Sequence, residues 1–351
     1  MKLSIGILAH NESDSIPVLL RTLLQQSLIS NIDPQHTIEI IVVSNGSIDN
    51  TATIARNAFI QMAAEENLSS IQWRVIEVEE AGKSNAWNLF VHHFSSFDTD
   101  FFYLMDADIE LHDRHTLAKM LNVLIQNPEY WIALDQPIKD VEIKSNKNLL
   151  EKLSVAVSKS SNKGQLFICG QLYCARASAL KNIWMPPGLP VEDGFLTQMI
   201  ISENFTIKNP TFEKRIVRVP DAYHIFTACT NPIELINHEV RVVVGIVINI
   251  FLTYYFEERC KGKLTAGQLI AQMNQENHFW LNDFMRKTLA KKSWWIIPIS
   301  LVFRRYRSLQ AHSFYKAITR IPIATLAFIV DLSVFIRANN KLHHEVITNF
   351  W

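Results

Sequence analysis

The chain has 351 residues, enough for one large domain with additions and a sizeable core. Lysine plus arginine balances aspartate plus glutamate, 34 against 34, so no global field draws the protein to nucleic acid or to an acidic partner. Hydrophobic residues make up 48%, with the excess after residue 240. The four cysteines, Cys169, Cys174, Cys229 and Cys260, form no CxxC pair and no zinc pattern, so they read as reduced thiols of a cytoplasmic protein. The first residues run straight into a strand pattern without the layout of a secretory signal.

Strand and helix patterns alternate through the first 140 residues. Leu3 to Ala9 reads as a buried strand, and Ile16, Leu19, Leu20, Leu23 and Leu24 recur at helical spacing within 13–26. Ile38 to Val43 is a second strand, followed by a helix over 49–64 that Asp49 opens in capping position. Trp73 to Val78 is a third strand, with a helix over 83–93. Phe101 to Met105 is a fourth, with a helix over 114–126. Such alternation predicts an α/β fold with a mostly parallel sheet covered on both faces. The pattern then loosens. A strand is expected over 165–175, a rigid Pro-rich loop over 184–190, a helix over 191–202, and one or two strands over 205–219. The expected division is a catalytic domain over 1–240, with a nucleotide-binding half to 140 and an acceptor half after it, and a helical region over 241–351.

The fourth strand ends abruptly in Asp106-Ala107-Asp108. Buried carboxylates are costly unless paired or bound to a cation, and two of them on one turn suit a hard ion such as Mn²⁺ or Mg²⁺. In an open α/β sheet the carboxyl ends of the strands are where ligands bind. Acids that simply cap the next helix explain the same residues equally well. Asn45-Gly46-Ser47 is a turn whose amides suit a nucleotide, and Gly82-Lys83-Ser84-Asn85 opens a helix with a lysine suited to phosphate. Glu192 and Asp193 begin a helix, where the dipole alone would favour acids.

Taken in order and spacing, these stretches resemble the family 2 glycosyltransferases with the GT-A fold. SIGILAHNE over 4–12 resembles the opening strand and loop. VVSNGSIDNT over 42–51 resembles the second strand and turn, and AGKSNAWN over 81–88 the third loop. MDADI over 105–109 resembles the metal motif (DXD), CGQLYCARASAL over 169–180 the acceptor-side strand, and VEDGFL over 191–196 the catalytic-base motif. HEVRV over 238–242 resembles a degenerate QxxRW motif, lacking the glutamine and tryptophan of polymer-making members. The resemblance spans about residues 1 to 245 and implies an inverting, metal-dependent enzyme. Its donor would be a UDP- or GDP-sugar and its acceptor a hydroxyl.

It implies donor contacts from His10, Asn11, Glu12, Asn45, Gly46, Lys83, Asn85, Asp106 and Arg241. Asp106, Asp108 and a later residue, His224, would hold the metal. Gly170 and Glu192 would meet the acceptor, and Asp193 would be the base. The family usually has acids where this chain has Ser44 and Asn45, so the choice of base stays open. A nucleotidyltransferase, or a non-catalytic membrane-bound scaffold that keeps the fold, are the rivals. Neither the loop Ala9-His10-Asn11-Glu12 nor the intact acids favour them.

The tail carries three apolar runs, 242–256, 294–303 and 318–336. The first is short for a spanning helix, which needs about 20 residues. The last holds Asp331 and Arg320, costly inside lipid. Helices lying on the cytoplasmic face of the membrane are expected, with Arg286, Lys287, Lys291, Lys292, Arg304, Arg305 and Arg307 facing anionic headgroups. A helical cap on the catalytic domain is the alternative.

Overall fold

A computed structural model describes residues 1–31, 35–65, 71–143, 166–207, 214–229, 231–260, 264–309 and 314–344. The first half follows the sequence pattern. β1 (Lys2–Ala9), α1 (Ile16–Leu24), β2 (Thr37–Asn45), α2 (Thr51–Glu65), β3 (Ile71–Val78) and α3 (Lys83–Leu89) alternate. They lead to β4 (Phe101–Asp106), the two-residue β5 (Ile109–Glu110) and α4 (Thr116–Gln126). β6 (Ile132–Lys139), β7 (Leu172–Arg176), α5 (Glu192–Ile201) and β8 (Ile216–Phe226) complete the sheet region. Four longer helices follow: α6 (Pro232–Arg259), α7 (Ala266–Glu276), α8 (Trp280–Leu289) and α9 (Phe314–His344).

The eight strands form one mixed sheet in the order β3-β2-β1-β4-β7-β6-β8-β5. β3, β2, β1 and β4 are parallel, so the turns after Ala9, Asn45, Val78 and Asp106 share one edge. β7 runs antiparallel beside β4, pairing Met105 with Leu172, and so returns residues 170–171 to that same edge. Strand side chains alternate between two cores. Phe101, Tyr103 and Met105 face the core holding α1 and α4, while Phe102 and Leu104 face the one holding α3, α5 and α6. A strand buried on both faces is apolar at most positions, which is why β1, β2 and β4 read as hydrophobic runs, with Ser4 and the Arg74-paired Glu39 as buried polar exceptions.

The expected strand over 165–175 is shorter, and residue 165 lies outside the described residues. The strand signal over 205–219 resolves into β8 from Ile216 onward; residues 208–213 also lie outside the description. The apolar run 242–256 is no surface helix. It is the middle of α6, where Val243, Val244, Val247, Ile248, Leu252 and Phe256 are buried against α5 and its surroundings. One hydrophobic cluster runs from Leu8 through Phe195 and Phe256 to Leu342, so the tail shares its core with the catalytic half.

Candidate active site

The carboxyl edge of the sheet gathers residues from five turns. After β1, His10 places Nδ1 2.7 Å from the Asn45 carbonyl, and Asn11, at φ +56°, donates its backbone N–H to Ser47 Oγ at 3.1 Å. Asn11 Oδ1 accepts from the Ile48 N–H at 2.8 Å. After β2, Asn45 Nδ2 donates to the Gly82 carbonyl at 2.8 Å, while its buried Oδ1 has no partner among the described residues. Gly46 sits at φ +60°, and a Cβ there would come within 2.5 Å of Ala81 Cβ, so both conformation and space demand glycine. His10, Asn11, Asn45 and Gly46 therefore form one lip of a groove, with Asn85 on its rim, reaching Glu80 Oε2 at 3.4 Å. Glu12 is held by Ser15; burial raises its carboxyl, and Asp108 and Asp49 add to the rise.

The centre of the groove is a knot of charge. Lys83 Nζ lies 2.6 Å and 2.8 Å from the two oxygens of Asp106, 3.0 Å from Glu192 Oε1 and 3.4 Å from the Gly170 carbonyl. Burial disfavours the charged ammonium of Lys83, but Asp106 and Glu192 outweigh it and hold it well above its ordinary range. Asp106 is pushed up to about 7 by burial, with Lys83 pulling it back and Asp108 adding to the rise. Asp108, two residues on, is exposed. Beneath the lysine, Trp87 Nε1 donates to Tyr173 Oη at 2.6 Å and closes the floor.

Asp193 stands at the start of α5, where its Oδ1 accepts the Gly194 N–H at 2.7 Å. Burial pushes its carboxyl up to about 6, Glu192 adding and Lys83 opposing. α6 steadies this corner from behind. Asn249 Nδ2 donates to the Val191 carbonyl at 3.1 Å, and Gly245 lies so close that a Cβ there would meet Val191 Cγ2 at 2.3 Å.

Two further expected site residues make no direct contact with the Lys83 knot among the described residues. His224 is fully buried, with Nδ1 2.7 Å from Asp135 Oδ2 and Nε2 3.3 Å from Gln171 Oε1. Both nitrogens are engaged, so in this arrangement it offers none to a cation, and among the described residues no three His, Cys, Asp or Glu side chains form a metal cluster. Asp135, its partner, escaped the sequence reading although a lone acid in the apolar run Ile132-Ala133-Leu134 was a visible signal of a buried pair. Arg241 lies on α6 beside His238, 3.5 Å from Nδ1, with no hydrogen bond or ion pair to the Lys83 knot among the described residues.

Asp106 and Asp108 are hard oxygen donors on one turn, and Asp106 already accommodates a cationic group. That donor set fits a divalent ion that takes its remaining ligands from a substrate diphosphate and water.

Comparison with known proteins bears on the fold and the family. No characterised protein matches the sequence significantly. Among solved structures, a mannosyltransferase from Pyrobaculum calidifontis, PcManGT, in complex with GDP-Man and Mn²⁺, superposes over 97% of this chain and 86% of its own. Its identity is 16% and its TM-score 0.53, a likeness of fold. Glucosyl-3-phosphoglycerate synthase from Mycobacterium tuberculosis, in complex with Mg²⁺ and UDP, covers 71% of this chain and 79% of its own, at 16% identity and a TM-score of 0.47. S. aureus TarS 1–349 in complex with UDP covers 97% of this chain and 91% of its own, at 15% identity and a TM-score of 0.45. The family model for glycosyl transferase family 2 matches residues 4–184, from the first strand through the acceptor-side strand. With more than half the chain matched and a GT-A sheet carrying the site at its carboxyl edge, the protein belongs to glycosyl transferase family 2.

Proposed function

We propose that the protein transfers a sugar, with inversion, from a nucleotide-diphosphate donor to a hydroxyl acceptor. The observation that carries this reading is the convergence of Asp106, Glu192 and Asp193 around Lys83 at the carboxyl edge of the sheet. His10, Asn11, Glu12, Asn45, Gly46 and Asn85 line the nucleotide side; a UDP or GDP moiety would lie there, with Asp106 and Lys83 under its diphosphate. Asp106 and Asp108 would hold Mn²⁺ or Mg²⁺, which when bound neutralises charge on the departing diphosphate. Asp193 takes the acceptor proton as the hydroxyl attacks the anomeric carbon. A carboxyl raised to about 6 is ionised at neutral pH yet basic enough to share that proton. Glu192 and Gly170 border the acceptor side, and the chain supplies mainly positioning and electrostatic stabilisation.

The test is a donor-hydrolysis screen over UDP- and GDP-sugars with Mn²⁺ and Mg²⁺, run on the wild type, Asp108→Ala and Asp193→Asn. Turnover should need the cation, vanish in Asp108→Ala, and fall at least about a hundredfold in Asp193→Asn with donor binding kept. Full activity of Asp108→Ala in EDTA would overturn the reading.

The same reading places the enzyme peripherally on the cytoplasmic face of a membrane, within reach of a lipid-linked or membrane-proximal acceptor. Support comes from the first half of α9. Residues 321–330 carry no charge, and Ile323, Leu326, Ile329 and Val330 are exposed, with Arg320 before the run and Asp331 after it. Two arginines of the basic cluster depart from the sequence expectation, while Arg286, Lys287, Lys291, Lys292 and Arg307 are exposed. Arg304 and Arg305 turn inward to Asp331, Arg304 also reaching Glu239 at 3.2 Å, so they serve the fold rather than headgroups. Attachment should then rest more on apolar contact than on salt-sensitive charge.

A further inference from the structure

Lys83 is the most heavily committed cation in the groove. Its ammonium touches both oxygens of Asp106, one oxygen of Glu192 and the Gly170 carbonyl, so its hydrogens are fully used. It stands on the carboxylate that the proposed metal needs. A divalent ion on Asp106 and an ammonium 2.6 Å from the same carboxylate cannot share it without strong repulsion. The contact also depends on the backbone beside it. A Cβ on residue 170 would lie 2.9 Å from Glu192 Oε1 and 3.0 Å from Lys83 Nζ, so a side chain there crowds the pair and obliges its flexible ends to shift.

We propose that Lys83 is a resident counter-ion that excludes the divalent cation from Asp106 until a diphosphate offers the ammonium another anionic partner. This rests on the metal-dependent reading above and adds an order to it. In the donor-free enzyme Lys83 neutralises Asp106 and Glu192, and the cation binds weakly. When nucleotide diphosphate and cation arrive together, Lys83 leaves Asp106 for the phosphate oxygens, and the cation takes its place. Cation and nucleotide then bind cooperatively, each raising the affinity for the other by the same factor. An enzyme built this way keeps its acids compensated while empty and assembles the charged site around donor alone.

The experiment measures Mn²⁺ affinity without any turnover, from the electron paramagnetic resonance signal of free Mn²⁺, with and without UDP or GDP. Lys83→Gln keeps hydrogen bonds to Asp106 and Glu192 but removes the charge. It should bind Mn²⁺ without nucleotide at least about tenfold more tightly than the wild type, and lose most of the cooperativity with nucleotide. Lys83→Arg keeps the charge and should stay as weak as the wild type. Gly170→Ala, which crowds the contact but leaves Lys83 intact, should move Mn²⁺ affinity in the same direction by a smaller factor.

If Lys83→Gln binds Mn²⁺ without nucleotide no better than the wild type, while the wild type binds Mn²⁺ with nucleotide, the lysine is only a diphosphate ligand and the proposal is overturned. If the wild type binds no Mn²⁺ even with nucleotide, the metal-dependent reading falls and takes the proposal with it. Circular dichroism and a thermal melt of Lys83→Gln separate these outcomes from a folding defect, and in that case Gly170→Ala alone decides: an unchanged Mn²⁺ affinity overturns the proposal.

Discussion

The two long helices of the tail, α6 and α9, pass the same length and composition test for a membrane span, yet the fold treats them differently. In the most apolar window of α6, 44% of residues are buried; in that of α9, 28% are. α6 lies against α5, with Gly245 and Asn249 fitted to the Val191 corner beside Asp193. α9 is anchored by its second half, where Val334, Phe335, Ala338, Asn339 and Leu342 are buried, while the stretch before it leaves apolar side chains outside. Mean apolar character says that a helix must be kept from water. What keeps it from water depends on whether a complementary surface stands opposite.

The sharpest way to break this comparison is to cut into α6. Phe256 is fully buried, with its ring 6.2 Å from that of Phe195 and 5.8 Å from that of Phe205. Phe256→Ala should cost about 3–5 kcal/mol, read as a lower denaturant midpoint at unchanged slope. A loss under about 1 kcal/mol would mean that α6 is not part of the core.

The next test falls on the polar anchor of α9. Asp331 is 4% exposed and receives Arg304 Nε at 3.0 Å and Arg305 Nε at 2.8 Å; these hydrogen bonds hold its carboxyl below the ordinary range against the effect of burial. Asp331→Asn should destabilise by roughly 1–3 kcal/mol, because two guanidinium groups lose their common anion. The same change should raise the salt sensitivity of vesicle binding, since the arginines are set loose; unchanged stability would show that the cluster is decorative.

A third test asks whether Asp193, in the corner that α6 backs, acts as the base. Protonated Asp193 cannot accept the acceptor's proton, and its carboxyl is raised to about 6. With donor and metal saturating, kcat should therefore fall by about tenfold per pH unit as pH drops below that value. A profile flat down to pH ~4, the ordinary range of a carboxylate, would remove Asp193 as the base.

The smallest stability effect belongs to the outer face of α9. Leu326 is 68% exposed and Ile323 72%. Leu326→Ser with Ile323→Ser should change stability by no more than about 0.5 kcal/mol for each substitution. Co-sedimentation with anionic vesicles should nevertheless drop clearly. Full retention of vesicle binding would leave this face to another partner and take the membrane out of the reading.

The sequence by itself determined the alternating first half, since strands buried on both faces cannot hide their apolar runs and the flanking helices cannot hide their spacing. It also marked Asp106 and Asp108, because charge at the end of an apolar run is costly unless used, and Lys83 at a helix start suited to phosphate, while Glu192 and Asp193 stood out through the family resemblance. Only the tertiary structure decided how those charges pair. Lys83 meets Asp106 and Glu192 because β7 runs antiparallel beside β4 and returns residue 170 to the edge where α3 begins, a juxtaposition that no spacing along the chain records. His224 was legible as a histidine near the site, but whether its ring faces a cation or a buried acid depended on Asp135, 89 positions earlier and one strand away. The fate of the apolar tail was undecided in the same way. Hydrophobicity is a property of a segment, whereas burial is a property of the surface it meets.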